Sequence, residues 1–252
     1  MLADRGFFVV RFDNRDVGLS TRIEGGPPAD LGAALTGDLS SASYTLEDMA
    51  ADTSGLLEAL DLPAAHVVGA SMGGMIAQSL AIHHPGQVLS LCSIMSTTGN
   101  PAVGQPRPEA IAALMAPPPA SREEAVSRSV EVAAVIGSPG YPRDEARIRE
   151  RAGQAWDRGH DEAGVTRQLL AVLASPERTE ALGSVRVPTV VIHGADDPLI
   201  DLSGGRATAA AVPGAELVVI RGMGHDLPAE VWPRVVDAIV ANAARAAAPS
   251  GP

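Results

Sequence analysis

Lysine is absent: all 19 basic residues are arginine. That excludes a Schiff-base lysine, a pyridoxal phosphate anchor and the lysine of a phosphate-binding loop. Cys92 is the only cysteine, so neither an internal disulfide nor a thiolate metal cluster can form. It lies in Leu89-Ser90-Leu91-Cys92-Ser93-Ile94, where a buried, inert thiol is expected. No stretch approaches the roughly 18 uninterrupted apolar residues of a membrane span. Met1-Leu2-Ala3-Asp4-Arg5 lacks the basic start and apolar run of a signal peptide, so a soluble, cytoplasmic chain is expected. Positive charge is in deficit: a formal charge of −11 argues against nucleic acid or an anionic membrane as partner. What is present suits one α/β domain with an insertion, since 252 residues can bury a single substantial core. Oligomeric state is not legible.

The informative stretch is Val67-Val68-Gly69-Ala70-Ser71-Met72-Gly73-Gly74-Met75. It reads as an apolar strand, a turn of small residues around one serine, and a helix. A serine hydroxyl becomes a useful nucleophile only beside a base and close to backbone donors. A sharp strand-to-helix turn presents it that way, at the cost of a close approach that side chains at Gly69 and Gly73 would obstruct. The Met72 N–H, opening the helix, then points to where an oxyanion would form. Alone, G-x-S-x-G is a weak signal.

In chain order, residues 1–6 read as a helix tail ending at Gly6, and Phe7–Phe12 as a buried strand leading into Asp13-Asn14-Arg15-Asp16-Val17-Gly18-Leu19-Ser20. Residues 22–43 read as a Gly/Pro-rich surface loop. Thr45 caps a helix through Leu60 with an apolar face at Leu46, Met49, Ala50, Leu56, Leu57 and Leu60. Ala65–Gly69 is the next strand, followed by the elbow, a helix to about His84 stopped by Pro85-Gly86, and a strand over Val88–Met95. From about Asn100 to Leu182 the strand signal vanishes. Proline breaks alternate with helical patterns there, including the capping box Ser121-Arg122-Glu123-Glu124 and helices over 143–158 and 161–173. Strands then return at 187–193 and 216–220, with helices over 203–211 and 229–246 and a frayed tail from Ala247. This alternation argues for a mostly parallel sheet covered on both faces.

Two of the later strands end in chemistry. Gly194-Ala195-Asp196-Asp197-Pro198 puts a carboxylate at the C-terminal rim of the sheet, with Asp197 the stronger candidate and Asp196 the alternative. Taken singly, both are more often loop residues that cap the following helix. Arg221-Gly222-Met223-Gly224-His225-Asp226 supplies a short loop that can swing His225 over the same rim, although a lone histidine in such a loop is usually only solvated. The three residues together, each after a different strand and in the order Ser, Asp, His, are far harder to obtain by coincidence. The other histidines are weaker: His83 and His84 end a helix, where a cation is favourable, His193 is placed to hydrogen-bond locally, and no zinc spacing is visible. Met95, Met115 and Trp156 are candidates for a substrate pocket, with ordinary packing the commoner role for each.

On these motifs the chain resembles the α/β-hydrolase superfamily over nearly its whole length. The loop Arg11–Ser20 and the helical insertion make it most similar to the aclacinomycin methylesterase-like esterases. The resemblance implies a hydrolase core at 1–98 and 183–252 and a helical cap at 99–182. It implies Ser71 as nucleophile, His225 as general base and acid, Asp197 as its orienting partner, and the Met72 N–H as one oxyanion donor. The substrate would be a small-molecule ester, with no metal or organic cofactor.

The resemblance also implies an N-terminal truncation. The family's first three strands would precede Met1, and the loop after the third supplies its second oxyanion donor. One such donor is typically worth about 10²–10³ in kcat. Weak activity or poor solubility is therefore expected, with the strand at 7–12 and the strand at 65–69 left unpaired or forced together. A lactonase, a perhydrolase, a C–C hydrolase, or an inactive binding module would carry the same three side chains.

Overall fold

The computed structural model describes residues 1–247, so most of the tail expected to fray lies outside the described residues. A single 3₁₀ turn at Ala3–Arg5 closes on Gly6, whose left-handed backbone (φ +87°) fits the expected helix tail. Helix α1 (Leu31–Leu35) falls inside the stretch read as loop, and α2 (Leu46–Ala59) follows. Thr45 and Asp48 cap α2 reciprocally, each side chain taking the other's backbone N–H. Its buried face holds Leu46, Met49, Ala50 and Leu57, while Leu60, expected there too, is 44% exposed.

The core then alternates as its apolar runs dictate: β1 (Ala65–Ala70), α3 (Met72–His83) and β2 (Val88–Ile94). Five helices without a strand come next, namely α4 (Pro108–Leu114), α5 (Arg122–Ile136), α6 (Glu145–Gly159), α7 (Glu162–Ala174) and α8 (Thr179–Leu182). β3 (Thr189–Gly194), α9 (Leu202–Ala211), β4 (Glu216–Ile220) and α10 (Trp232–Ala247) complete the order. The Ser121 cap of α5 is half of the expected box. Its hydroxyl accepts from the Glu124 N–H, but the Glu124 carboxylate reaches back to Ala120 rather than to Ser121.

The four strands form one parallel sheet in the order β1-β2-β3-β4, with Gly69 opposite Ser93, Cys92 opposite Val190 and Val191 opposite Leu217. Parallel strands need cover on both faces. One face packs Leu91 with Met49, Ile76 and Leu80 of α2 and α3. The other packs Cys92, Ile94 and Ile192 with Val235 and Ile239 of α10. Cys92 is inert as expected, burial pushing its thiol up to about 12.

The strand expected at 7–12 does not form. The segment belongs to no sheet, Phe8 is 85% exposed, and β1 remains the edge strand. Phe7 meets the His66 ring of β1 edge-on at 5.9 Å, yet the two backbones do not pair. An apolar, β-branched run becomes a strand only when a neighbour takes its N–H and C=O groups, and no strand pairs with it here.

The following loop is firmly fastened. Asp16 (φ +72°) is fully buried and accepts from Arg167 of α7 at 2.7 and 2.8 Å, from Tyr44 at 2.7 Å and from the Ile23 N–H at 2.8 Å. Burial pushes its carboxyl up, but these donors outweigh that and hold it below the ordinary value. Asp13 pairs with Arg158 of α6, so the loop clasps two helices of the segment between β2 and β3.

Candidate active site

The turn after β1 is tight because Ser71 adopts φ +54°, ψ −122°, a conformation that costs a non-glycine residue about 1–3 kcal/mol. Neighbouring backbone holds it there. The Ser71 N–H donates to Ile94 O of β2 at 2.9 Å, and its carbonyl accepts from Gly74 and Met75. A Cβ on Gly69 would lie 2.0 Å from Gly73 O, and one on Gly74 would lie 2.7 Å from Ser96 Cβ. Gly73 differs from expectation: nothing lies within 4 Å of where its Cβ would be. The clash is one-sided, because the Gly73 carbonyl, not its α-carbon, faces Gly69.

At the same rim, β3 and β4 deliver the acid and the imidazole. Asp197 is buried at the end of the β3 loop, and its Oδ1 accepts the Leu199 and Ile200 N–H groups at 2.9 Å each. Its Oδ2 accepts from His225 Nδ1 at 2.8 Å, and His225 Nε2 meets Ser71 Oγ at 2.9 Å. A carboxylate can only accept, so Nδ1 carries the proton and Nε2 is left to receive the serine's. The side chains of Asp197 and His225 are 0% and 7% exposed, which keeps water from competing for these bonds. The geometry separates the two aspartates: Asp196 is exposed and takes the Gly222 N–H at 2.8 Å, away from the imidazole.

His193 hydrogen-bonds locally, as its position suggested, but lies nearer the site than sequence could tell. Its Nε2 donates to Ile200 O at 2.8 Å and lies 3.7 Å from Asp197 Oδ2, while Nδ1 is buried without a partner. Burial lowers its tendency to protonate, and a neutral ring leaves that nitrogen a lone pair, which is cheaper to bury unpaired than a donor. Among the described residues, no group of three or more His, Cys, Asp or Glu side chains is gathered to hold a metal ion.

A cavity of about 550 Å³ reaches His225, walled mainly by apolar side chains of α4, α5 and α7 and the proline loop 117–119. Met115 lines it. Met95 and Trp156 do not: Met95 is buried in the α10 face of the core, and Trp156 stacks at 4.0 Å on His160, which does line the cavity. A side chain after β2 looks poised over the rim in sequence, but at φ +42° Met95 turns back under the sheet.

Sequence reasoning missed the segment Ile136–Tyr141. Ile136 O accepts the His225 N–H at 2.7 Å, Ser138 Oγ accepts the Gly224 N–H at 2.9 Å, and the Ser138 hydroxyl donates to the Asp226 carboxylate. Gly137-Ser138-Pro139-Gly140 reads only as a turn, and nothing in it announces a partner more than 80 residues away.

Several known proteins resemble this chain. Residues 1–128 match the family described as alpha/beta hydrolase fold. The rhodomycin D methylesterase DauP of Streptomyces sp. (strain C5) is 30% identical, over 96% of this chain and 83% of that protein. The rhodomycin D methylesterase DnrP of Streptomyces peucetius is 29% identical with the same coverage. Among solved structures, a thermophilic esterase from Thermogutta terrifontis superposes with a TM-score of 0.67 at 24% identity, over 93% of this chain and 78% of its own. The chain belongs to the alpha/beta hydrolase fold family. No helix among its described residues is long and apolar enough to cross a membrane.

Proposed function

We propose that this chain is a serine-dependent ester hydrolase of the carboxylesterase or methylesterase type. The observation that carries the reading is the continuous hydrogen-bond path from Ser71 Oγ through His225 to Asp197, at 2.9 and 2.8 Å. Ser71 Oγ attacks the ester carbonyl carbon while its proton passes to His225 Nε2. The tetrahedral oxyanion is met by the Met72 N–H, at the first position of α3, where the helix leaves its donors without intrahelical partners. Collapse expels the alkoxide, which takes the proton from His225 and leaves an acyl group on Ser71. Water then gives a proton to His225 and attacks the acyl carbon, and the acid departs as Ser71 recovers its proton. Asp197 fixes the tautomer and stabilises the imidazolium that forms twice per cycle.

On this reading residues 99–182 act as a cap over a core built from 1–98 and 183–252. The apolar wall of the cavity supports an uncharged small-molecule ester, and its volume of about 550 Å³ lies within the range of pockets that hold drug-sized ligands. The two Streptomyces relatives are, by name, methylesterases of rhodomycin D, which supports a methyl ester as the bond cleaved. The test is reaction with a fluorophosphonate together with a panel of methyl esters. Labelling at Ser71 that is lost in Ser71→Ala, with hydrolysis of a bulky methyl ester, is the expected result. An unlabelled, folded chain would sink the proposal.

A further inference from the structure

The loop bearing His225 has no regular structure of its own. It runs through Gly222 (φ +77°) and Gly224, two residues that leave a backbone soft. The imidazole can hold its place beside Ser71 only if something else fixes that loop. Asp196 of the β3 loop holds Gly222 and Met223 from one side, and the remaining contacts come from the far side, from the segment after α5. Gly140 N–H donates to Gly222 O at 2.9 Å and the Tyr141 hydroxyl to Arg221 O at 3.1 Å. The approach is backbone on backbone. A Cβ on Gly140 would lie 2.5 Å from Gly222 Cα, and one on Gly224 would lie 2.3 Å from Gly137 O. At the centre is one hydroxyl. Ser138 Oγ accepts from the residue before His225 and donates to the carboxylate of the residue after it, so both sides of the histidine are pinned to a single atom.

We propose that Ser138 is a positioning residue for His225, setting the distance between Nε2 and Ser71 Oγ from the helical segment between β2 and β3. This rests on the reading of His225 as general base. Without the hydroxyl, the Gly224 N–H loses its acceptor and Asp226 loses its tether; the loop keeps the bonds of Ile136 O to the His225 N–H and of Gly140 and Asp196 to Gly222, but loses the hold that flanks the histidine on both sides. A displacement of about 1 Å at reacting atoms can cost about 10²-fold. The cavity wall supplied by Ile136 stays in place, so substrate binding is affected less.

The experiment compares wild type, Ser71→Ala, Ser138→Ala and Ser138→Thr for fluorophosphonate labelling rate and for kcat and KM on a p-nitrophenyl ester. Ser138→Ala is expected to lower kcat and the labelling rate together by about 10- to 100-fold with KM within about threefold, and Ser138→Thr, which keeps the hydroxyl, to recover most of the loss. If Ser138→Ala does not fold, Asp226→Asn serves instead. It keeps an acceptor but loses its charge; because Asp226 also lines the cavity, the readout is kcat and the labelling rate, which are expected to fall together several-fold, and wild-type values of both would overturn the positioning role. A wild-type chain that fails to label overturns the hydrolase reading and this inference with it. Labelling by wild type with a wild-type rate in Ser138→Ala, or a loss confined to KM, overturns the positioning role alone.

Discussion

The two glycines that bracket Ser71 look equivalent in the sequence, yet the structure makes opposite demands on them. In Gly69→Ala the new methyl would sit 2.0 Å from Gly73 O, 2.3 Å from Gly73 C and 2.7 Å from Gly74 N, where ordinary contact begins at 3.4 Å. All three atoms are backbone, so no rotamer change relieves the overlap, and the turn must open by about 1.4 Å. Overpacking of this sort costs about 1–3 kcal/mol, and a clash against main chain belongs at the upper end. The same opening carries Ser71 Oγ out of its 2.9 Å contact with His225 Nε2, so the labelling rate should fall by about 10²-fold or more. In Gly73→Ala the methyl meets nothing within 4 Å, and relief of the glycine's conformational freedom in α3 should leave stability unchanged or raise it by up to about 1 kcal/mol. Urea unfolding with fluorophosphonate kinetics on both variants decides the matter. Wild-type stability and labelling in Gly69→Ala, or a loss above about 1 kcal/mol in Gly73→Ala, would refute the steric account of this turn.

Asp197→Asn should lower kcat by about 10⁴-fold by presenting the wrong tautomer to Ser71, whereas Asp196→Asn, which loses only a loop contact, should stay within a few-fold; steady-state kinetics on one ester separates them. Arg167→Ala leaves the Asp16 carboxylate buried without its charged partner and should cost about 3–5 kcal/mol in urea unfolding, while Asp16→Asn combined with it should recover part of that loss. The depressed Asp16 carboxyl contributes stability that is present above about pH 4 and is lost as pH falls below it. His193 is held below its ordinary 6.5 by burial, so the unfolded chain binds its proton first and stability should drop as pH falls from about 6.5; the slope of the urea midpoint between pH 7 and 5 should flatten in His193→Gln.

The sheet and its rim were legible because each strand is an apolar run closed by a turn signal, and because a parallel sheet sends successive strand ends to one edge. Ser71, Asp197 and His225 could thus be brought together on paper from three positions far apart in the chain. Asp197 stands ahead of Asp196 in the sequence already, just before Pro198, and in the structure its Oδ2 meets His225 Nδ1 while Asp196 turns to the Gly222 N–H. Phe7–Phe12 misled because strand propensity describes a half-buried pleat and says nothing about whether a neighbour exists. The cavity was the least legible part. Met95 and Trp156 are of the right residue type, yet which side of a helix or turn meets the pocket is set by packing between α4, α5 and α7, and the prolines at 117–119, 139 and 142 break the register between the helices. Ser138 left no trace, since a serine in a Gly/Pro turn has the same appearance whether it meets solvent or a histidine loop.

The backbone-to-backbone seam at Gly137, Gly140, Gly222 and Gly224 has a practical side. The helices between β2 and β3 are not a detachable cassette. A chimaera that imports another enzyme's insertion to change substrate range would have to keep residues 136–141 from this chain, or import the donor's own β4 loop along with it. Junctions drawn at the proline breaks alone would exchange the cavity wall and unmoor His225 in the same stroke.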